Sequence, residues 1–243
     1  MNASQHAMQV TTYGTAEKAA LALAEEMTRY VSEATVPVLL LLSGGSALSV
    51  VRRLGTWDAM CSLTIAVLDE RFDPTNRESN WAKIVQTGWF SLATAKGAAH
   101  IDTLTLVNDT IDTLTARFEE GIAAWGKEHP SGVIVGLFGM GDDGHTAGVF
   151  PMPEDLEAFA DSFQSERLVL GYRAPDTVTI PLRMTVTLTG IRTFACGFAY
   201  VCGGQKRDNL CDLRCGVSRP LHILPAGIWR DLPSMRIATD IVC

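Results

Sequence analysis

Four short apolar runs, each ending abruptly in a glycine-rich or acidic turn, constrain this chain more than any other feature. They are "VPVLLLLSGGS" (36–46), "LTIAVLDER" (63–71), "GVIVGLFGMGDDGHT" (132–146) and "GFAYVCGGQK" (197–206). Apolar runs without polar alternation are what strands buried on both faces require, and both faces are buried where helices cover a parallel sheet. The segments between have the other period. Residues 16–32 carry apolar positions at helical spacing with acids interleaved, 46–53 read as a helix opening from the first turn, and 111–127 as a long helix. Beyond Pro153 come a polar helical segment to about Phe163, strands at "RLVLGY", 184–188 and "MRIATDIV", and a helix from Lys206. Strand then helix, repeated, defines an α/β chain with a mostly parallel sheet and helices on both faces. No internal repeat, low-complexity tract or linker divides it, so residues 1–243 are expected to form a single domain.

Composition narrows the function. An apolar fraction of 47% fills a sizeable core, and a net charge of -7 argues against a nucleic-acid partner, which needs a basic face. An anionic ligand must then be held by a local cluster of cations. The longest aliphatic stretch, "VPVLLLL", falls far short of the roughly 20 residues of a spanning helix, so no membrane partner is expected. The start "MNASQHAMQV" lacks the charged and apolar regions of an export signal, which points to a cytoplasmic protein. Its six cysteines are accordingly expected as ordinary reduced thiols. Cys211 and Cys215 stand four apart, but only the lone His222 follows them, and no metal site is expected.

In open parallel sheets ligands sit beyond the carboxyl ends of the strands, so three polar turns are expected at one edge. In the first, Ser43, Gly44, Gly45 and Ser46, the two glycines let the backbone approach a ligand, and the N–H groups of the helix that opens there can face an anion such as phosphate. Two glycines also suit a plain tight turn, and neither the dinucleotide fingerprint nor the P-loop pattern is present. In the second, Arg71 can neutralise phosphate while Asp69 binds sugar hydroxyls or moves a proton; a surface ion pair is the simpler alternative. In the third, Asp143 and His145 are one residue apart, close enough for the carboxylate to orient the imidazole as a general base. Arg183, read as preceding a strand, and Lys206, at a helix start where the dipole disfavours a cation, are two further cations for this edge.

The ordered set "SGGS", "DER" followed by Ser79 and Asn80, "GMGDDGHTAGVFP", "RMTVTLTGI" and "GGQK" resembles the 6-phosphogluconolactonases, a branch of a wider group with the glucosamine-6-phosphate deaminases. The resemblance runs from about Leu39 to Asp240. It implies a modified doubly wound (Rossmann-like) α/β fold of the NagB/RpiA/CoA transferase-like type, hydrolysis of 6-phospho-D-glucono-1,5-lactone to 6-phosphogluconate, and no metal or organic cofactor. It implies His145 as the base that activates water, Asp143 as its orienting carboxylate, and Asp69 at the sugar end. The backbone of the first turn with Arg71, Arg183 and Lys206 would bind the substrate, chiefly its phosphate. The partner is then a small phosphosugar lactone, handled by a monomer or homodimer. Two other readings stand beside it: a deaminase or isomerase, whose motif carries a glutamate where this chain has Phe150, and a non-catalytic sugar-phosphate sensor, for which no output module is visible. The chain departs from the lactonase pattern at Ala47 and Leu48, where Thr-Pro is usual, and at Gly148, where serine is.

Overall fold

The structure, a computed structural model, describes residues 7–57, 61–175 and 178–243, so most of the stretch read for an export signal lies outside it. In chain order the elements are β1 (Ala7–Thr12), α1 (Ala16–Glu33), β2 (Val38–Leu42), α2 (Leu48–Val51), β3 (Leu63–Val67), β4 (Asp69–Arg71), α3 (Asn80–Val85), α4 (Gly88–Ala95), β5 (Ala99–His100) and α5 (Ile111–Glu128). There follow β6 (Val133–Gly139), α6 (Leu156–Phe163), β7 (Val169–Arg173), β8 (Leu182–Val186), α7 (Leu188–Ile191), β9 (Cys196–Val201), α8 (Arg207–Arg214) and β10 (Ser234–Thr239).

Among the described residues, seven strands form one sheet in the order β1-β10-β9-β6-β2-β3-β5, every neighbouring pair parallel. The apolar runs explain its centre: each position of β2, β3 and β9 is buried, so both faces of those strands are covered. Helix α1 starts at Thr15, whose side chain accepts a hydrogen bond from the Lys18 N–H, and buries Ala20, Leu23, Ala24, Met27 and Val31. It packs against β9 and β10. Buried residues from Ala19 to Ile241 form one contiguous core.

Three strands depart from the expected parallel arrangement. The chain leaves the main sheet after Val67, and β4 joins β8 and β7 in a separate antiparallel sheet, β4-β8-β7, against which α5 packs. "LTIAVLDE", read as one strand, is therefore two that serve different sheets. The strand expected at 184–188 begins at Leu182 instead, and Leu188 starts α7. Arg183 accordingly lies within β8 rather than before it. The helix expected over 46–53 is a 3-10 turn, Gly45–Ala47, followed by the four-residue α2. Any anion there meets local N–H groups rather than a long helix dipole.

The cysteine expectation is also corrected. Cys211 on α8 is disulfide-bonded to Cys243, their Cα atoms 5.4 Å apart, while Cys61, Cys196, Cys202 and Cys215 are free. The sequence shows only neighbours along the chain; the fold brings the segment after β10 back against α8.

Candidate active site

Strands β9, β6, β2 and β3 are consecutive in the sheet, so the four turns that follow them emerge side by side. The parallel register pairs Leu42 with Leu137, which sets the turn at Ser43 beside the turn at Gly139. The N–H of Ser43 donates to the Leu137 carbonyl at 2.9 Å, and a Cβ at Gly139 would lie 3.7 Å from Ser46 Oγ. Between the turns lies a cavity of about 110 Å³.

Its lining includes Ser43, Gly44, Gly45, Ser46, Asp69, Arg71, His145 and Arg183 of the predicted set. Asp143 is joined to it through His145. Lys206 is not among the lining residues; it is 7% exposed, in the neighbouring turn after β9, where its N–H donates to the Gly203 carbonyl. Gly203 is held in turn by donating its N–H to Asp240 Oδ1 at 3.0 Å.

The turn after β6 is built around one ring. Asp143 Oδ1 accepts from the His145 backbone N–H at 3.0 Å and lies 2.6 Å from Nδ1. A carboxylate only accepts, so Nδ1 carries the proton and Nε2 of the neutral ring keeps its lone pair. Burial pushes the Asp143 carboxyl up, but the hydrogen bonds and charge of His145 outweigh it and hold the group below its usual range. Gly141 closes the turn by donating to the His145 carbonyl, and Gly144 takes the positive φ of 83° that the reversal requires.

The small antiparallel sheet supplies the cations. In its register Arg71 stands directly opposite Arg183. Like charges facing across a ladder oppose each other, and the arrangement suits a site that takes an anion. Asp69 lies beside them. Burial raises its carboxyl above the usual range, while Arg183, Arg71, His145 and a hydrogen bond from Asn80 pull it back. Arg183 is itself pushed down by burial and held up by Asp69. Arg71 Nε, Ser43 Oγ and Asn80 Oδ1 are buried without a hydrogen-bond partner, three polar atoms left over on residues that line the cavity.

Several residues that shape the site were not singled out as site residues from the sequence. Asn80 donates through Nδ2 to the Asp69 carbonyl at 2.9 Å and to Asp69 Oδ2 at 3.1 Å. Its Oδ1 sits where a Gly44 Cβ would approach to 2.0 Å, which explains why this turn needs glycine there. Glu70, fully buried, accepts from the N–H groups of Arg71, Asn80 and Trp81 and from the hydroxyls of Ser79 and Thr103. It thereby pins the start of α3 behind the cavity. Tyr172 donates to the Gly148 carbonyl and Thr185 to the Ala147 carbonyl, fixing two residues of positive φ. Gly148 approaches Asp69 so closely that a Cβ would meet Asp69 Cβ at 3.1 Å. The motifs "DER" with Ser79 and Asn80, "RMTVTLTGI" with Thr185, and "GMGDDGHTAGVFP" with Gly148 are the sequence signals that touch these residues; Thr103 and Tyr172 lie outside them.

A parallel α/β sheet with a histidine–carboxylate pair and opposed arginines at its carboxyl edge defines the class, and comparison with known proteins agrees. Residues 12–231 match the family model described as glucosamine-6-phosphate isomerases/6-phosphogluconolactonase, and the chain belongs to that family. It is 28% identical over 191 residues to a 6-phosphogluconolactonase of Mesorhizobium japonicum, covering 76% of this chain and 74% of that one. It is also 28% identical over 175 residues to a 6-phosphogluconolactonase of Xylella fastidiosa, covering 70% and 69%. Its fold is similar to the crystal structure of a 6-phosphogluconolactonase from Shewanella baltica, with a TM-score of 0.73, 20% identity and 97% of each chain covered.

Proposed function

We propose that this protein hydrolyses 6-phospho-D-glucono-1,5-lactone to 6-phosphogluconate in the oxidative pentose phosphate pathway. The observation that carries the reading is the Asp143–His145 pair on a cavity that also holds Arg71 and Arg183. Family membership and the names of the relatives support it.

In this mechanism His145 Nε2 takes a proton from a water molecule as the water oxygen attacks the lactone carbonyl carbon. The tetrahedral intermediate collapses with cleavage of the bond to the ring oxygen. His145 returns its proton to that oxygen, leaving a free hydroxyl and a carboxylic acid that ionises. Asp143 keeps Nδ1 protonated and Nε2 aimed at the water throughout. Asp69 contacts the sugar hydroxyls. The N–H groups of Gly44, Gly45 and Ser46 and the unpartnered Ser43 hydroxyl, with Arg71, Arg183 and Lys206, hold the substrate, chiefly its phosphate. A lactone is an activated ester, and one positioned base contributing about 10²- to 10⁴-fold is a sufficient main device. A cytoplasmic reaction belongs to the same reading, since such a substrate is charged and stays in the compartment where it is made. Among the described residues no helix is long and apolar enough to cross a membrane.

The test is acid release from freshly made 6-phosphogluconolactone, run beside ammonia release from glucosamine 6-phosphate. Acid release without ammonia is expected, and His145→Ala should lower turnover at least about 100-fold while the protein stays folded. Ammonia release without acid release, or a His145→Ala protein of normal turnover, would overturn the reading.

A further inference from the structure

Phe150 ends the turn that carries Asp143 and His145, and nothing in the mechanism above uses it. Its side chain is 6% exposed, yet it stands outside the contiguous hydrophobic core. Two polar groups of the cavity lie against its ring. The His145 ring packs on it with centroids 4.4 Å apart and planes tilted by 32°, and the Arg183 guanidinium carbon lies over the same ring, 5.3 Å from its centroid.

Each partner has a freedom that its hydrogen bonds do not remove. The Asp143 bond fixes His145 along a single line, Nδ1 to Oδ1, and the imidazole can still rock about it. The Gly141 backbone blocks one edge, since a Cβ there would reach 2.1 Å from His145 Cε1. The flat face of Phe150 stops the remaining rotation. Arg183 is held by its Nε, which donates to the Ile180 carbonyl at 3.1 Å. A planar guanidinium resting on an aromatic face keeps its outer nitrogens free for an oxyanion.

We infer that Phe150 is a positioning residue: its ring fixes the tilt of the His145 imidazole and the seat of the Arg183 guanidinium. It thereby sets the spacing between base and cation that a phosphorylated lactone must bridge. The inference rests on the reading of His145 as the base. It also gives a specificity, because a ligand whose anionic group stands at another distance from its carbonyl cannot meet both groups at once.

The experiment compares Phe150→Leu, which keeps apolar bulk without a flat face, with Phe150→Tyr, which keeps the face. Steady-state hydrolysis of 6-phosphogluconolactone gives kcat and KM separately. Proton NMR follows the His145 ring resonances, assigned by their loss in His145→Ala, which stacking shifts upfield in the parent. For a folded Phe150→Leu protein we expect kcat about tenfold lower, since displacement of a catalytic group by 1 Å costs roughly 100-fold. KM should rise several-fold, the His145 resonances should move downfield, and Phe150→Tyr should restore all three. Parental kcat and KM in Phe150→Leu would overturn the inference. So would unmoved His145 resonances or a tyrosine variant no better than leucine; Phe150→Met, equally without a flat face, is read the same way should the leucine variant not fold. Failure of the functional reading appears elsewhere, as a parent protein that releases no acid from the lactone.

Discussion

Replacing Gly141 by alanine tests the geometry of the base with one methyl group. Gly141 does not have a positive φ, so its backbone accepts an L side chain. Space is what forbids it: the new Cβ would lie 2.1 Å from His145 Cε1, 2.2 Å from Nδ1 and 2.8 Å from Asp143 Oδ1, inside the hydrogen bond that orients the ring. Non-bonded carbons rest about 3.5 Å apart or more, so the imidazole must retreat by roughly 1.4 Å. A displacement of about 1 Å costs roughly 100-fold in rate, or about 2.7 kcal/mol of transition-state stabilisation. Stability should respond differently. The His145 side chain is 34% exposed and can swing toward solvent, and alanine restricts the unfolded chain, a gain of about 0.4–1 kcal/mol. The expected outcome in a lactone hydrolysis assay is a turnover about 100-fold lower with a Tm within a few degrees of the parent. A Gly141→Ala protein within about threefold of parental turnover would refute the claim that the Asp143–His145 geometry does the chemistry.

Substrate binding, the buried carboxylate and acid stability give three more expectations. Arg183→Ala should raise KM about tenfold or more, and Lys206→Ala should raise it less because Lys206 lies outside the cavity lining; steady-state kinetics with unchanged KM in both would remove the phosphate assignment. Glu70→Gln should cost about 2 kcal/mol in urea unfolding: Ser79 and Thr103 can turn their hydroxyls to accept from an amide placed at Oε2, but the Trp81 N–H loses its acceptor. Unchanged stability would show that the carboxylate is not the hub of this corner. Asp143 sits below its unfolded value, so its bond to His145 stabilises the fold above about pH 4 and that contribution fades as pH falls through the folded value. The Tm difference between the parent and Asp143→Asn should therefore shrink as pH falls below about pH 4; a difference that does not shrink there would overturn the argument.

Local pattern determined the scaffold. β2, β3 and β6 announce themselves because a strand covered on both faces must be apolar at nearly every position, and α1 and α5 because one helical face must be. The Asp143–His145 contact was legible for the same reason, since two residues of one turn are close whatever the rest of the chain does. Elements without such a pattern were missed. β1, "AMQVTT", alternates weakly at the sheet edge, β5 has two residues, α3 has six, and α4, "GWFSLATA", carries no charged residue to mark an outer face. Three relations belonged to the tertiary structure alone: Arg71 opposite Arg183 in a second sheet, Cys211 against Cys243, and the Phe150 ring under both His145 and Arg183. Each joins residues separated by 32 or more positions, or depends on where a ring points. Burial and period say which face of an element turns inward; which other element meets it is decided only when the whole chain packs.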